Sequence, residues 1–316
     1  MSYRVRVVPD LVFSSPKGKP LLLDLYLPQH AEEPFPVIVW IHGGGWRIGD
    51  RKLGPDFCQF FAEKGFAMAS VEYRLSGEAL FPAQIHDVKA AIRWLRSVAD
   101  EYHLDSENIG LWGSSAGGHL AALAGTTGSG VLEELEHGCA DFSCNVQAVV
   151  DGYGPTDFLQ MDLQHTSERP SNDPETDRLH PTRHHSDLDS PESQLLGAPI
   201  HSVPDRVQEA NPITYIKGGE PPFLIMHGTN DTAVPAHQSE LLYQALLEKG
   251  NDATLCLIDG FGHAFFNNND LDNHEPYSAR LRTTRAGEKE KTETTHVKIF
   301  EMIERFFGKH LMKMDY

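Results

Sequence analysis

The feature that most constrains the fold is the run GSSAG at residues 113–117, because it stands between a predicted strand and a predicted helix. Residues 108–112 are typical of a short buried strand, and residues 118–124 are typical of a helix start. A serine with a glycine two positions before it and another two positions after it, at such a junction, indicates a turn so sharp that the hydroxyl group is left exposed. The run therefore predicts that Ser115 is a nucleophile. A glycine-rich turn with an unused serine is the alternative interpretation.

Apolar runs typical of strands alternate with helical patterns along most of the chain. The clearest helix begins at Pro82, where apolar residues recur at spacings of three and four. This alternation predicts an α/β fold with a mostly parallel, doubly wound sheet of about eight strands. The first two strands, joined by a turn at residues 15–18, predict an antiparallel edge at the N-terminal side. The predicted strands are 4–13, 20–27, 37–41, 66–73, 108–112, 146–150, 222–227 and 253–258.

Two stretches interrupt this alternation. Residues 157–210 are rich in proline, aspartate, histidine and serine, and residues 266–294 are similarly irregular. We interpret both as loop insertions that overhang the functional site of one domain spanning residues 1–316.

The chain is strongly acidic, with 45 acidic and 27 basic residues and a net charge of −18. This charge argues against nucleic acid and anionic membranes as partners, because both would repel it. No window is apolar enough for a membrane-spanning helix. Residues 1–13 lack the apolar core of a signal peptide, which leaves a cytosolic protein and a secreted protein without its leader as alternatives.

The four cysteines do not form the pattern of a disulfide scaffold. Cys58 and Cys256 fall in predicted regular elements and are expected to be buried free thiols. Cys139 and Cys144 lie close together in a loop, where they could form a disulfide or stay as two free thiols.

An acid and a base follow later strands in the order that a serine nucleophile requires. Asp231 lies directly after the strand 222–227, and His263 lies directly after the strand 253–258. Because the carboxyl ends of parallel strands share one edge of the sheet, we expect both residues to meet Ser115 there. Asp231 could instead cap the next helix. Asp259 is the rival acid.

A glycine run supplies the last component of such a site. The sequence HGGG at residues 42–45 follows the first strong core strand. Consecutive glycines allow backbone N–H groups to approach an oxyanion closely. We expect Gly44, Gly45 and Ala116 to form an oxyanion hole, with a flexible turn as the alternative for the glycine run.

Six segments, spread over most of the chain, together resemble a known family. They are 42–46 (HGGGW), 73–76 (YRLS), 81–84 (FPAQ), 113–120 (GSSAGGHL), 154–158 (GPTDF) and 190–197 (SPESQLLG). On these segments the chain resembles α/β-hydrolases of the hormone-sensitive-lipase type, and more narrowly the bifunctional feruloyl and acetyl-xylan esterases of microbial plant-wall degraders. The resemblance implies the α/β-hydrolase fold, catalysis by Ser115, Asp231 and His263, and no metal or organic cofactor.

These observations predict a serine carboxylesterase that works through an acyl-enzyme. Short acyl esters such as acetates are the expected substrates, and the resemblance adds feruloyl esters on plant-wall carbohydrate. An arylformamidase-like or peptidase-like amide hydrolase on the same scaffold is the alternative. A non-catalytic binding protein is disfavoured because Ser115, Asp231 and His263 are all present. The expected partner is a small-molecule or carbohydrate ester. The sequence is compatible with both a monomer and a homo-oligomer.

Two further groups of residues have competing interpretations. Trp46 could form a wall of the acyl pocket or pack beneath the first helix. His180, His184 and His185 are interpreted as loop residues rather than metal ligands, since they have no partner strand or helix. Glu192 is expected to hold its loop together through its carboxylate.

Overall fold

A computed structural model gives the fold and describes residues 2–30, 32–135, 138–164 and 184–314. Ten strands form one sheet in the order β1-β2-β4-β3-β5-β6-β7-β8-β9-β10. The strands are β1 (Val5–Ser14), β2 (Leu21–Pro28), β3 (Phe35–Ile41), β4 (Ala67–Val71), β5 (Leu104–Ser114), β6 (Ala148–Gly152), β7 (Phe223–Gly228), β8 (Ala253–Ile258), β9 (Tyr277–Thr284) and β10 (Lys291–Val297). The described helices are α1 (Phe57–Phe60), α2 (Ala83–Ser97), α3 (Ala99–Tyr102), α4 (Ala116–Thr127), α5 (Phe158–Gln164), α6 (Pro191–Leu196), α7 (Pro204–Ala210), α8 (His237–Glu248) and α9 (Ile299–Leu311).

The centre of the sheet is parallel and its edges are antiparallel. Strands β4, β3, β5, β6, β7 and β8 pair in parallel. At the N-terminal edge, β1 and β2 pair antiparallel with each other, and β2 pairs antiparallel with β4. The predicted fold class, with its antiparallel N-terminal edge, is therefore confirmed.

The central strand β3 shows why the sequence specifies a sheet covered on both faces. All of its residues are buried, and alternate side chains enter different apolar clusters. Val37 and Val39 face the cluster that includes helix α4, whereas Trp40 packs edge-on against Trp112, with ring centroids 4.5 Å apart. A continuous apolar run is what such a doubly covered strand requires.

The sheet has two strands more than the sequence predicts, and both lie in the stretch 266–294 and just beyond it. Strands β9 and β10 form an antiparallel hairpin that pairs with β8 and extends the sheet at its C-terminal edge. Interpreting the whole stretch as an irregular loop was therefore wrong. Much of β10 is exposed, so charged and threonine residues fill it and weaken its apolar signal.

The stretch 157–210 contains regular structure of its own. Helices α5, α6 and α7 lie in its described part, and residues 165–183 fall outside the described residues. Leu195 and Leu196 on α6 are fully buried, so this helix belongs to the main apolar cluster rather than to a solvated loop.

All four cysteines are free thiols, including Cys139 and Cys144. Cys256 is buried as expected, whereas Cys58 is partly exposed, so the prediction of burial was wrong for Cys58. Within the described ranges, no helix combines the length and the apolar character needed to cross a membrane.

Candidate active site

Ser115 occupies the turn between β5 and α4. Its backbone has φ 54° and ψ −119°, a conformation that is strained for a residue with a side chain. Its N–H donates to the carbonyl of Gly152 on β6 at 2.7 Å, which holds the turn in place. A Cβ atom on Gly117 would lie 2.0 Å from the Ile41 carbonyl oxygen, and one on Gly113 would lie 2.1 Å from the Gly117 carbonyl oxygen. Both flanking glycines are therefore required by the close approach of the backbone.

His263 and Asp231 meet Ser115 at the carboxyl ends of neighbouring strands. His263 Nε2 lies 2.8 Å from Ser115 Oγ, and His263 Nδ1 lies 2.6 Å from Asp231 Oδ2. The other carboxylate oxygen, Oδ1, accepts the N–H groups of Ala233 and Val234, each at 2.9 Å. An ionised carboxylate only accepts hydrogen bonds, so Nδ1 of His263 carries the proton and Nε2 is free to accept from the serine.

The environment of Asp231 keeps it ionised although its side chain is wholly buried. Burial opposes ionisation, but the neighbouring His263 and the hydrogen bonds from His227 and His263 hold the pKa of Asp231 well below its usual range. Ser115 retains about 8% exposure, whereas the side chain of His263 is only about 1% exposed.

The rival acid lies elsewhere. Asp259 is exposed, and its Oδ2 accepts a hydrogen bond from Ser278 Oγ at 2.6 Å. Its carboxylate is thus engaged with strand β9, whereas Asp231 is engaged with His263. The structure therefore places Asp231, the acid that the sequence favours, beside His263.

The glycine loop after β3 adjoins the nucleophile. A Cβ atom on Gly43 would lie 3.4 Å from Ser115 Cβ. Gly44 and Gly45 have φ angles of +114° and +58°, and the Gly44 carbonyl accepts the N–H groups of Arg47 and Ile48, both at 3.1 Å. The loop is therefore a hydrogen-bonded turn beside Ser115 rather than a loose connection. Ala116 opens α4 on the other side of the serine.

Packing from the stretch 157–210 holds this loop. A Cβ atom on Gly45 would lie 3.0 Å from Pro191 Cβ, so α6 touches the loop directly. Trp46 is about 1% exposed, and its ring packs against His119 at 5.2 Å and Phe158 at 5.4 Å between centroids. Trp46 thus lies between the glycine loop, α4 and α5.

Two further residues contact the site, and the sequence analysis missed both. Tyr153 has φ 44°, follows β6, and packs edge-on against His263 with ring centroids 4.8 Å apart. His227 Nε2 lies 3.1 Å from Asp231 Oδ2. Tyr153 carries no motif signal. His227 immediately precedes the segment that supplies Asp231, but a histidine inside a strand gives no sign of its partner.

The described histidines among those weighed as metal ligands do not form a metal site. His180 lies outside the described residues, His184 is exposed, and His185 Nδ1 lies 3.0 Å from Glu192 Oε1. Both members of this last pair are about 1% exposed, which agrees with the expected structural role of Glu192. Across the described residues, no group of three or more histidine, cysteine or acidic side chains could hold a metal ion.

Comparisons with known proteins find esterases that are similar to this chain. The chain is 31% identical over 237 residues to the esterase LipC of Mycobacterium tuberculosis, a match that covers 74% of this chain and 54% of LipC. The chain thus spans about half the length of the curated relatives that it matches.

Two solved structures are similar over most of the chain. A truncated carbohydrate esterase from gut microbiota has a TM-score of 0.76 and 27% identity, and the match covers 98% of each chain. Esterase Est2 of Thermogutta terrifontis with bound propionate has a TM-score of 0.62 and 26% identity, covering 86% of this chain and 88% of Est2.

A family model described as BD-FAE matches residues 23–246, which include Ser115, Asp231 and the glycine loop. The match covers well over half of the chain and confirms the family resemblance inferred from the sequence. The chain belongs to the BD-FAE family of esterases related to hormone-sensitive lipase.

Proposed function

We propose that the protein is a serine carboxylesterase that works through an acyl-enzyme. The observation that carries the proposal is the continuous hydrogen-bonded chain from Ser115 Oγ through His263 to Asp231, with distances of 2.8 Å and 2.6 Å. This arrangement activates a serine hydroxyl, which is a poor nucleophile without a base to take its proton.

The geometry assigns one task to each side chain. Ser115 Oγ attacks the ester carbonyl while His263 Nε2 takes its proton, and the imidazolium then gives that proton to the leaving alcohol as the ester C–O bond breaks. Asp231 keeps the imidazole in the required tautomer and stabilises the imidazolium. Water then attacks the acyl-enzyme with His263 as the base again, which releases the acid and restores Ser115.

Backbone groups stabilise the charge that forms on the carbonyl oxygen. We assign this role to the N–H groups of Gly44, Gly45 and Ala116, since the glycine loop adjoins Ser115 and Ala116 opens the following helix. Removing one donor of this kind typically costs about 10²–10³ in kcat.

The proposed substrates are short acyl esters, acetates above all, carried by carbohydrate. The similarity to a carbohydrate esterase over 98% of the chain supports a carbohydrate as the alcohol part of the ester. The similarity to Est2, which binds propionate and butyrate, supports a short acyl group. The resemblance of the sequence to bifunctional feruloyl and acetyl-xylan esterases supports the feruloyl group as a second acyl group.

A substrate panel tests the proposal. 4-Nitrophenyl acetate, a long-chain 4-nitrophenyl ester, a feruloyl ester and an N-formyl amide are compared with the wild type, Ser115→Ala and Ser114→Ala. Ser114 is the matched control because it is the neighbouring buried serine, at the end of β5. We expect acetate cleavage by the wild type and Ser114→Ala, and none above background by Ser115→Ala. Full ester cleavage by Ser115→Ala would disprove the mechanism, and faster cleavage of the amide than of the esters would favour an amide hydrolase.

A further inference from the structure

Asp231 is bound by a second imidazole besides that of His263. His227 lies near the end of β7 and is fully buried. Its Nε2 is 3.1 Å from Asp231 Oδ2 and 2.9 Å from the Val234 carbonyl oxygen. The same carboxylate oxygen, Oδ2, is the one that faces His263. His227 therefore contacts the oxygen that serves the reaction.

The partners of His227 fix its tautomer. Nε2 faces two atoms that can only accept, a carboxylate oxygen and a carbonyl oxygen, so it must carry a proton. Nδ1 lies 2.7 Å from Ser239 Oγ, which is fully buried on α8. In the neutral ring Nδ1 accepts, and the hydroxyl of Ser239 donates to it. Contacts of 2.6–3.1 Å therefore connect Ser239 on α8 through His227, Asp231 and His263 to Ser115.

We propose that His227 is a positioning residue for the reaction, acting through Asp231. This inference rests on the proposed esterase function of Ser115, His263 and Asp231. The backbone N–H groups of Ala233 and Val234 hold Oδ1, and His227 holds Oδ2, so the carboxylate cannot rotate away from His263. Ser239 fixes the orientation of His227 from outside the site.

His227 also acts on the charge of Oδ2. The Nε2–H group, which is shared with the Val234 carbonyl oxygen, takes up part of the acceptor capacity of Oδ2, and the remaining capacity stabilises the imidazolium of His263. Without this N–H group, Oδ2 would stabilise the imidazolium of His263 more strongly. His263 would then stay protonated, and unable to act as a base, up to a higher pH. The other ionisable groups that face this pair are Asp151 and Tyr153, which lie on the neighbouring strand β6 and just after it.

The test compares two amide substitutions that place their nitrogen differently. His227→Gln can keep an N–H donor near the position of Nε2, whereas His227→Asn reaches only the position of Nδ1. We expect His227→Asn to lower kcat about 10–100-fold with KM nearly unchanged, the loss typical of residues that orient a metal ligand from outside it. We expect the acidic limb of its kcat/KM profile to move to higher pH. His227→Gln should restore most of kcat and the wild-type limb.

Either of two results would overturn the inference. One is a His227→Asn enzyme with the wild-type rate and pH profile. The other is an equal loss in both variants without any change of the acidic limb, which would mean that His227 only fills space. Failure of the proposed esterase function would show separately, as undiminished activity of Ser115→Ala.

A measurement on the wild type covers the case in which neither variant folds. The ¹⁵N spectrum of histidine-labelled protein at pH 8 reports which ring nitrogen carries the proton. We expect the Nε2–H tautomer for His227 and the Nδ1–H tautomer for His263. A His227 ring protonated at Nδ1 would leave no donor for Asp231 and would contradict the inference.

Discussion

The two sides of Ser115 are built by different means. On one side, Asp231 and His263 are side chains held by hydrogen bonds of 2.6–3.1 Å, and His227 belongs to the same network. On the other side, the loop at Gly44 and Gly45 offers backbone groups, and close packing from Ile48, Pro191 and Trp46 shapes it. The arrangement of the first side depends on the charge and tautomer of its side chains, and the arrangement of the second depends on how closely its residues pack.

This difference predicts two kinds of response to substitution. Changes on the side-chain side should alter both the rate and its pH dependence, because they act on the proton of His263. Changes on the loop side should alter the rate alone, because they move donors that do not titrate.

Among changes to the two sides of Ser115, the largest effect is expected from Asp231→Asn, which should lower kcat about 10⁴-fold. The new amide can donate to His263 Nδ1 and so favours the tautomer that cannot accept the serine proton. Rates with 4-nitrophenyl acetate would show this loss. The control is Asp259→Asn, whose exposed carboxylate binds Ser278 instead and which should stay near the wild type. An equal loss in both variants would remove Asp231 from its proposed role.

Gly45→Ala should cost about 10²–10³ in kcat, the cost of one oxyanion donor. The new Cβ would lie 3.0 Å from Pro191 Cβ at a φ of +58°, so the loop must shift. The pH profile should keep its wild-type shape. Gly77→Ala is the matched control, since a Cβ there meets nothing within 4 Å. An unchanged kcat in Gly45→Ala would show that the loop does not position a donor.

Phe158→Ala should have a smaller effect on rate and a clear effect on stability. Phe158 is about 1% exposed and packs on Trp46 and His119, so its removal leaves a cavity beside the glycine loop. Such truncations typically cost about 3–5 kcal/mol of unfolding free energy. We expect a several-fold lower kcat with an unmoved acidic limb, measured together with urea unfolding. A moved limb would mean that the two sides are not separate.

The smallest effect on activity is expected from buried histidines that matter for stability. Burial lowers the pKa of His42 and of His119 to about 4. In the unfolded chain these histidines bind a proton near pH 6.5. The stability that the two neutral, buried rings contribute is therefore complete above that pH and is lost as the pH falls toward 4. The loss in unfolding free energy is about 3 kcal/mol for each fully buried ring. Burial raises the pKa of Asp151 to about 6, which opposes part of this loss.

Melting temperatures between pH 7 and pH 4 check this dependence. The variant His119→Gln keeps a donor for the Ala210 carbonyl oxygen, which lies 2.7 Å from Nε2, but cannot be protonated. Its melting temperature should fall less steeply with pH than that of the wild type. Parallel curves would mean that His119 does not contribute.

The sequence predicted those parts of the site that depend on chain order and strand ends. Ser115, Asp231 and His263 each follow a strand of the parallel centre, so their meeting at one edge could be foreseen. The approach of Pro191 to Gly45 could not, because it depends on how a distant insertion folds back. The contact between His227 and Ser239 likewise depends on the packing of α8 against β7.

The strands that the sequence missed show a second limit. Tyr277–Thr284 is mostly half-buried between β8 and β10, and Lys291–Val297 is the exposed edge strand. Both are rich in charged and polar residues, so their composition is that of a loop. Only the pairing with β8 makes them strands.

The most direct test of the central claim is peptide mapping by mass spectrometry after inactivation with an organophosphonate. The reagent reacts with an activated serine and leaves a covalent adduct. We predict one adduct per chain, on Ser115, formed in step with the loss of esterase activity and absent from Ser115→Ala. An adduct on any other residue that accompanies the loss of activity would contradict the account.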